Sequence, residues 1–135
     1  MLDLPATTVR GLRVLKALAR EDAPMTTAYV AREAHVTASH AARLIRVLKD
    51  AGLAAAGGKG WSLARPAGDI TVLEAVEALG ASRPRPDHCK ADWAICHDRG
   101  GCALAPLCRQ AHETLIDLFR SHTLADLRAE MPALP

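Results

Sequence analysis

In the stretch MTTAYVAREAHVTASHAARLIRVLKDAGLAAAGGKGWSL, residues 25–63, two helix-start signals and a glycine-rich turn follow one another at short spacing. Thr26 can cap a short helix running to Ala34, His35 and Val36 make a turn, and Thr37 can cap a second helix running to Ala51 with Gly52 as its stop. On that second helix Ser39, His40, Arg43, Arg46 and Lys49 point outward, while Ala42, Leu44, Ile45 and Leu48 turn inward. The pattern is that of a helix-turn-helix, although an ordinary helical hairpin with a basic face would read the same way. Residues 53–63 separate the two. Leu53 to Ala56, a turn Gly57-Gly58-Lys59-Gly60, and Trp61 to Leu63 form a small β-hairpin directly behind the second helix, which makes the unit a winged helix. Such a unit puts its second helix into the major groove of double-stranded DNA and lays the wing along the backbone or the minor groove. Ser39, His40 and Arg43 are then placed to read bases, and Arg46, Lys49 and Lys59 to meet phosphates. For His35 and His40 the plainer roles are surface and cap residues.

Outward from this unit the chain stays helical. Upstream, Thr8 to Arg20 repeats Val9, Leu12, Leu15 and Ala19 at helical steps, with Arg10, Arg13 and Lys16 left for the outside. Downstream, Thr71 and Glu74 form a capping box for a helix to Leu79 closed by Gly80, whose Ile70, Leu73, Val76 and Leu79 can fasten it to the winged unit. A Pro-rich connection, ASRPRPDH, leads to the cysteines. From about Leu104 a long amphipathic helix runs through Leu107, Ala111, Leu115, Leu118 and Phe119 to His122, and Thr123 with Asp126 caps a final short one. That long stripe has little core left to cover, so its expected partner is the same helix of a second copy; packing back on its own domain is the alternative. The expected fold is therefore mainly α with a small β-wing: a winged helix-turn-helix domain over residues 1–80, a cysteine-rich loop over 81–108, and a dimerisation helix with C-terminal tail over 104–135. A twofold dimer implies a pseudo-palindromic operator.

Composition agrees. Half of the 135 residues are apolar but only 3% aromatic, which favours packed helices with an Ala, Leu and Val core. No stretch has the apolar length of a membrane span, and the start MLDLPATT lacks a secretory pattern, so the expected setting is the reducing cytoplasm. Residues 1–66 carry ten basic and five acidic groups, a net of +5, whereas residues 67–135 carry seven and ten, a net of −3. The basic half is the one that would face a polyanion.

All four cysteines fall in CKADWAICHDRGGCALAPLC, residues 89–108, with Cys96, Cys102 and Cys108 evenly placed with five residues between neighbours and Cys89 seven positions ahead of Cys96. Disulfides suit a reducing compartment poorly. Zinc sites usually bring close ligand pairs, which are missing here. Spread thiolates on a loop with Gly100, Gly101 and Pro106 suit a larger soft object, an iron–sulfur cluster. No Ser-His-Asp arrangement, phosphate-binding glycine loop or paired carboxylates point to an enzyme, and an electron carrier would leave the basic winged half without purpose.

With its parts in this order the chain resembles the IscR/NsrR-type, or Rrf-two, family of bacterial transcription regulators. The resemblance rests on SLARPAGDITVLEAVEALG at 62–80, the triplet Cys96, Cys102 and Cys108, the helix-turn-helix at 26–52, and TLADL at 123–127. It implies a homodimeric winged-helix repressor or activator whose three cysteines bind a 2Fe-2S or 4Fe-4S cluster, and whose DNA affinity changes on cluster loss, oxidation or nitrosylation. CHDRGGCALAPLC followed by a helix and SHTLADL looks most like the nitric-oxide-sensing branch. Family members complete the coordination with an acidic residue of the partner's first helix or a histidine three residues after the last cysteine. Here those positions are Val9 and Ala111, neither of which can ligate. Cys89 is the first substitute, as a soft ligand on the same loop, then His112; His97 and Asp98 are further candidates. The wing also lacks the family's arginine before the glycines. A regulator of the same fold without iron, whose thiols oxidise to disulfides, is the alternative.

Overall fold

The computed structural model describes residues 4–80 and 103–130. Helix α1 (Ala6–Arg20) is followed by α2 (Thr27–Ala34), α3 (Ala38–Asp50), the hairpin β1 (Ala54–Gly57) and β2 (Gly60–Leu63), α4 (Val72–Ala78), α5 (Ala105–Ser121) and α6 (Leu124–Glu130), with a 3-10 turn at Ala67–Asp69. A mostly helical chain with one two-stranded antiparallel sheet is the winged-helix architecture expected from the sequence. No helix among the described residues is long and apolar enough to cross a membrane.

Local hydrogen bonding explains where the helices begin. Thr26 Oγ1 accepts from the Tyr29 amide, Thr37 Oγ1 from the His40 amide, and Thr71 Oγ1 from the Glu74 amide, each satisfying a donor that the first helical turn leaves orphaned. Helix α2 ends on His35 with φ 55 and ψ 45, in the left-handed region, where its amide and that of Val36 close back on Arg32 and Ala31. That reversal sets α3 across α2.

Burial follows from packing α1, α2, α3 and the hairpin around one centre. Leu15, Leu18, Leu44, Ile45, Leu48, Leu53 and Ile70 are fully buried. Two expected faces need correction. On α1, Leu15 and Ala19 are buried and Leu12 packs half-buried on the core as expected, but Val9 is 38% exposed, and Thr8, Gly11, Val14 and Leu18 complete the buried face, with Gly11 pressed against the Leu79 side chain. On α3, Ala41 is buried and Ala42 exposed: with Leu44, Ile45 and Leu48 fixed inside, the i−3 and i−4 neighbour is Ala41. The hairpin also closes more tightly than expected. Gly57 pairs with Gly60, leaving Gly58 and Lys59 as a two-residue turn with Gly58 at φ +57.

The C-terminal segment returns to this core. The Val72 amide donates to the His122 carbonyl (2.9 Å) and the Leu124 amide to the Ile70 carbonyl (3.0 Å), so Thr71 and Thr123 form an antiparallel bridge. Leu124 is thereby 2% exposed and belongs to the same apolar cluster as α1 and α3. Helix α5 packs along α4, and α6 along α1.

Candidate nucleic-acid interface

Because Ala41, Leu44, Ile45 and Leu48 commit one side of α3 to the core, the opposite side is set by the 3.6-residue period. Ser39, Arg43 and Arg46 lie at its middle, spaced by four and three residues, and all three are exposed. His40 and Val47 occupy one flank, with His40 half-buried and Val47 40% exposed. Lys49 occupies the other flank, toward the hairpin. Asp50 follows Arg46 by four residues on the same outward stripe and ends its basic run. No carboxylate among the described residues forms an ion pair with Arg43, Arg46 or Lys59, so these cations face solvent in a concentration that would attract phosphate.

The hairpin is held against this helix through contacts of Trp61 that the sequence pattern does not show. Trp61 in β2 pairs with Met25 by two short backbone bonds, Trp61 amide to Met25 carbonyl at 2.7 Å and Met25 amide to Trp61 carbonyl at 2.9 Å. Its indole N–H donates to Thr27 Oγ1 at 3.2 Å, at the start of α2. The Lys49 ammonium stands over its ring, 5.9 Å from the centroid, within cation–π reach. Gly60 is part of the same joint: a Cβ there would run into the Met25 backbone. A large aromatic directly behind a glycine turn was the available signal, but its partners lie far away in the chain.

Behind the wing, Arg65 reaches forward to the Asp69 carbonyl (3.1 Å) and to Glu74 Oε1 (2.8 Å). The Thr71 amide bonded to Glu74, and after it Arg65, hold the Glu74 carboxyl below its ordinary value.

Of the cysteines, only Cys108 lies within the described residues; Cys89, Cys96 and Cys102, with His97 and Asp98, lie outside them. Cys108 is exposed, in the opening turn of α5, where its amide bonds to the Leu104 carbonyl. His112 comes one turn later, four residues on and therefore on the same side of the helix, and is half-buried. Among the described residues no three His, Cys, Asp or Glu side chains converge on one point.

The sequence profile of the Rrf2 family, described as an iron-dependent transcriptional regulator, matches residues 4–130. No curated protein matches the chain. Among solved structures the fold is similar to that of CymR, the global cysteine regulator of B. subtilis, at a TM-score of 0.78 and 19% identity, covering 98% of this chain and 100% of that one. The oxidized form of Staphylococcus aureus CymR gives 0.74 and 18%, with 98% and 100% covered. IscR of T. potens gives 0.68 and 22%, with 98% and 94% covered.

Proposed function

The chain belongs to the Rrf2 family of DNA-binding transcription regulators, and from that premise we propose that it is a homodimeric repressor whose operator affinity is set by an iron–sulfur cluster. The observation that carries the DNA-binding part is the exposed face of α3, with Ser39, Arg43 and Arg46 in line, and the wing that follows it carries the exposed cation Lys59 in its turn. In this reading Ser39, His40 and Arg43 read base edges in the major groove, while Arg46, Lys49 and Lys59 bind phosphate.

The dimer reading is supported by α5, which leaves Leu107 and Leu118 at 62% and 51% exposure along one shallow groove, with Leu104 at 58% just before the helix. A second copy of the same helix would cover them and hold two recognition helices at the separation of two half-sites of a pseudo-palindromic operator.

Cys96, Cys102 and Cys108 would hold the cluster, with Cys89 as the fourth ligand or, failing it, His112. The donor set suits it: Cys108 is an exposed thiol at the start of the dimerisation helix, open to other ligands from the segment before it. A bound 2Fe-2S or 4Fe-4S cluster supplies reactivity toward nitric oxide and oxidants. The protein's part is mechanical, since Cys108, as a ligand, would join the cluster directly to the opening turn of α5. A coupling of about 1–3 kcal/mol between cluster and operator is enough for regulation. Cluster loss through nitric oxide, redox change or iron–sulfur supply is the signal in this reading.

The similarity to an oxidized CymR structure favours one second reading, in which the thiols themselves oxidise without iron. Anaerobic purification decides between them. Matching iron and sulfide with a visible absorption altered by Cys89→Ala supports the cluster; a colourless protein after anaerobic reconstitution removes it. Selection from a randomised duplex library, with and without the cluster, identifies the operator and the form that binds it.

A further inference from the structure

Three directional contacts meet at Trp61: backbone pairing to Met25, the indole N–H on Thr27 Oγ1, and the Lys49 ammonium over the ring. They tie together β2 of the wing, the start of α2 and the end of α3. The wing has only two strands of four residues, and an isolated hairpin of that size has little stability of its own. Its direction relative to α3 must therefore come from what it is fastened to. Of the phosphate-directed cations, Lys49 and Lys59 both depend on this joint: Lys59 sits at the tip of the hairpin that Trp61 anchors, and Lys49 rests on the indole face. A lysine carries substantial rotamer entropy, and a ring beneath its ammonium restricts it before any phosphate arrives.

We propose that Trp61 is a positioning residue for nucleic-acid binding, which sets the wing against the recognition helix and presents Lys49 and Lys59 to the DNA backbone together. Trp61 touches no base or phosphate in this role. Thr27 is its anchor, so removing the hydroxyl acceptor weakens the same function. The inference rests on the DNA-binding reading and goes beyond it.

The experiment uses the full-length protein and a duplex selected from the randomised library, with fluorescence anisotropy over a series of KCl concentrations. Lys59→Ala and Lys49→Ala each lower the slope of log affinity against log salt by about one. Trp61→Leu is expected to lower it by about two, and adding either lysine substitution to Trp61→Leu changes affinity less than about twofold. Trp61→Phe and Thr27→Val keep an apolar contact but lose the indole–hydroxyl bond; both are expected to lower the slope by about one while the folded far-ultraviolet signal is retained. These two variants carry the test should Trp61→Leu not fold. An unchanged salt slope in Trp61→Phe and Thr27→Val, or lysine effects that multiply in full with Trp61→Leu, would mean that Trp61 only packs, and the proposal would be overturned. Wild-type protein that selects no duplex overturns the DNA-binding reading itself, and the positioning role with it.

Discussion

His35 is the residue where the chain spends conformational energy. It is the one non-glycine with positive φ among the described residues, at φ 55, and its ring is exposed, so no buried contact offsets the left-handed backbone. Histidine tolerates this region better than most residues but worse than glycine. His35→Gly is therefore expected to raise stability by about 0.5–1 kcal/mol, the relief of strain exceeding the entropy that glycine adds to the unfolded chain. His35→Val should lower it by at least as much, since a β-branched side chain fits the left-handed region poorly. Urea unfolding reads both; a midpoint unmoved by either change would refute the strain. On α3 the distinction is between reading and holding. Arg43 lies at the centre of the exposed stripe, so Arg43→Ala is expected to cost about 1–3 kcal/mol and to relax preference at one base position. Lys59→Ala should weaken all sequences alike and flatten the salt dependence. A panel of single-base operator variants separates the two, and a position-specific loss with Lys59→Ala would contradict its assignment to phosphate.

At the scale of elements, two matched caps face each other across the Thr71–Thr123 bridge. The Thr71 amide donates to Glu74 at 3.0 Å and the Thr123 amide to Asp126 at 2.9 Å, so α4 and α6 both start from one isolated antiparallel bridge. Glu74 serves twice, since its other oxygen accepts from Arg65. Both contacts favour the carboxylate and lower its pKa from 4.5. A lowered folded value means stability that is present above pH 4.5 and is lost as the pH falls through the folded pKa. Wild type should therefore exceed Glu74→Gln in melting temperature at pH 7, and the gap should close on acidification below 4.5. With the two side chains 42% and 43% exposed, solvent keeps the effect under about 1 kcal/mol. A gap that is constant with pH would place the effect in packing rather than in charge. The caps were legible in the sequence because a threonine and the residue three positions on define them locally, as at Thr26, Thr37 and Thr71. The faces of alanine-rich helices were less so: a methyl group makes Ala41 and Ala42 equal candidates until Leu44, Ile45 and Leu48 choose between them. The pairings of Met25 with Trp61 and of Thr71 with Thr123 carry no local pattern at all, because each joins segments distant in the chain. The same holds for the candidate interface, where the cations of α3 were readable by period but the indole that anchors the wing was not.

For the whole molecule the question is what covers α5. One flank packs on α4, and Leu124 beyond its end is sealed into the winged core, so the helix is fixed to its own domain at its C-terminal end. Leu104, Leu107 and Leu118 remain more than half exposed. Full burial of a leucine contributes about 1.5–3 kcal/mol, and these side chains are already partly covered, so burying the rest of all three in each of two copies gains roughly 5–10 kcal/mol, comparable to the free-energy cost of associating two proteins. Contacts along Ala111, Leu115 and Phe119 would add the surplus that a stable dimer needs. Leu118→Glu tests this with little risk to the fold, because the side chain is already half in water. In a covered groove it would place one carboxylate from each copy in an apolar seam, and an unpaired charge there is costly. Wild type is expected to sediment at twice the 14.4 kDa chain mass and Leu118→Glu at the chain mass itself. The variant should keep the wild-type melting profile at low concentration but lose tight binding to a two-half-site operator, retaining only the weaker, salt-sensitive attraction of one basic winged unit for DNA. Wild-type protein that sediments as a single chain at micromolar concentration would refute the α5 dimer and move the source of half-site spacing elsewhere.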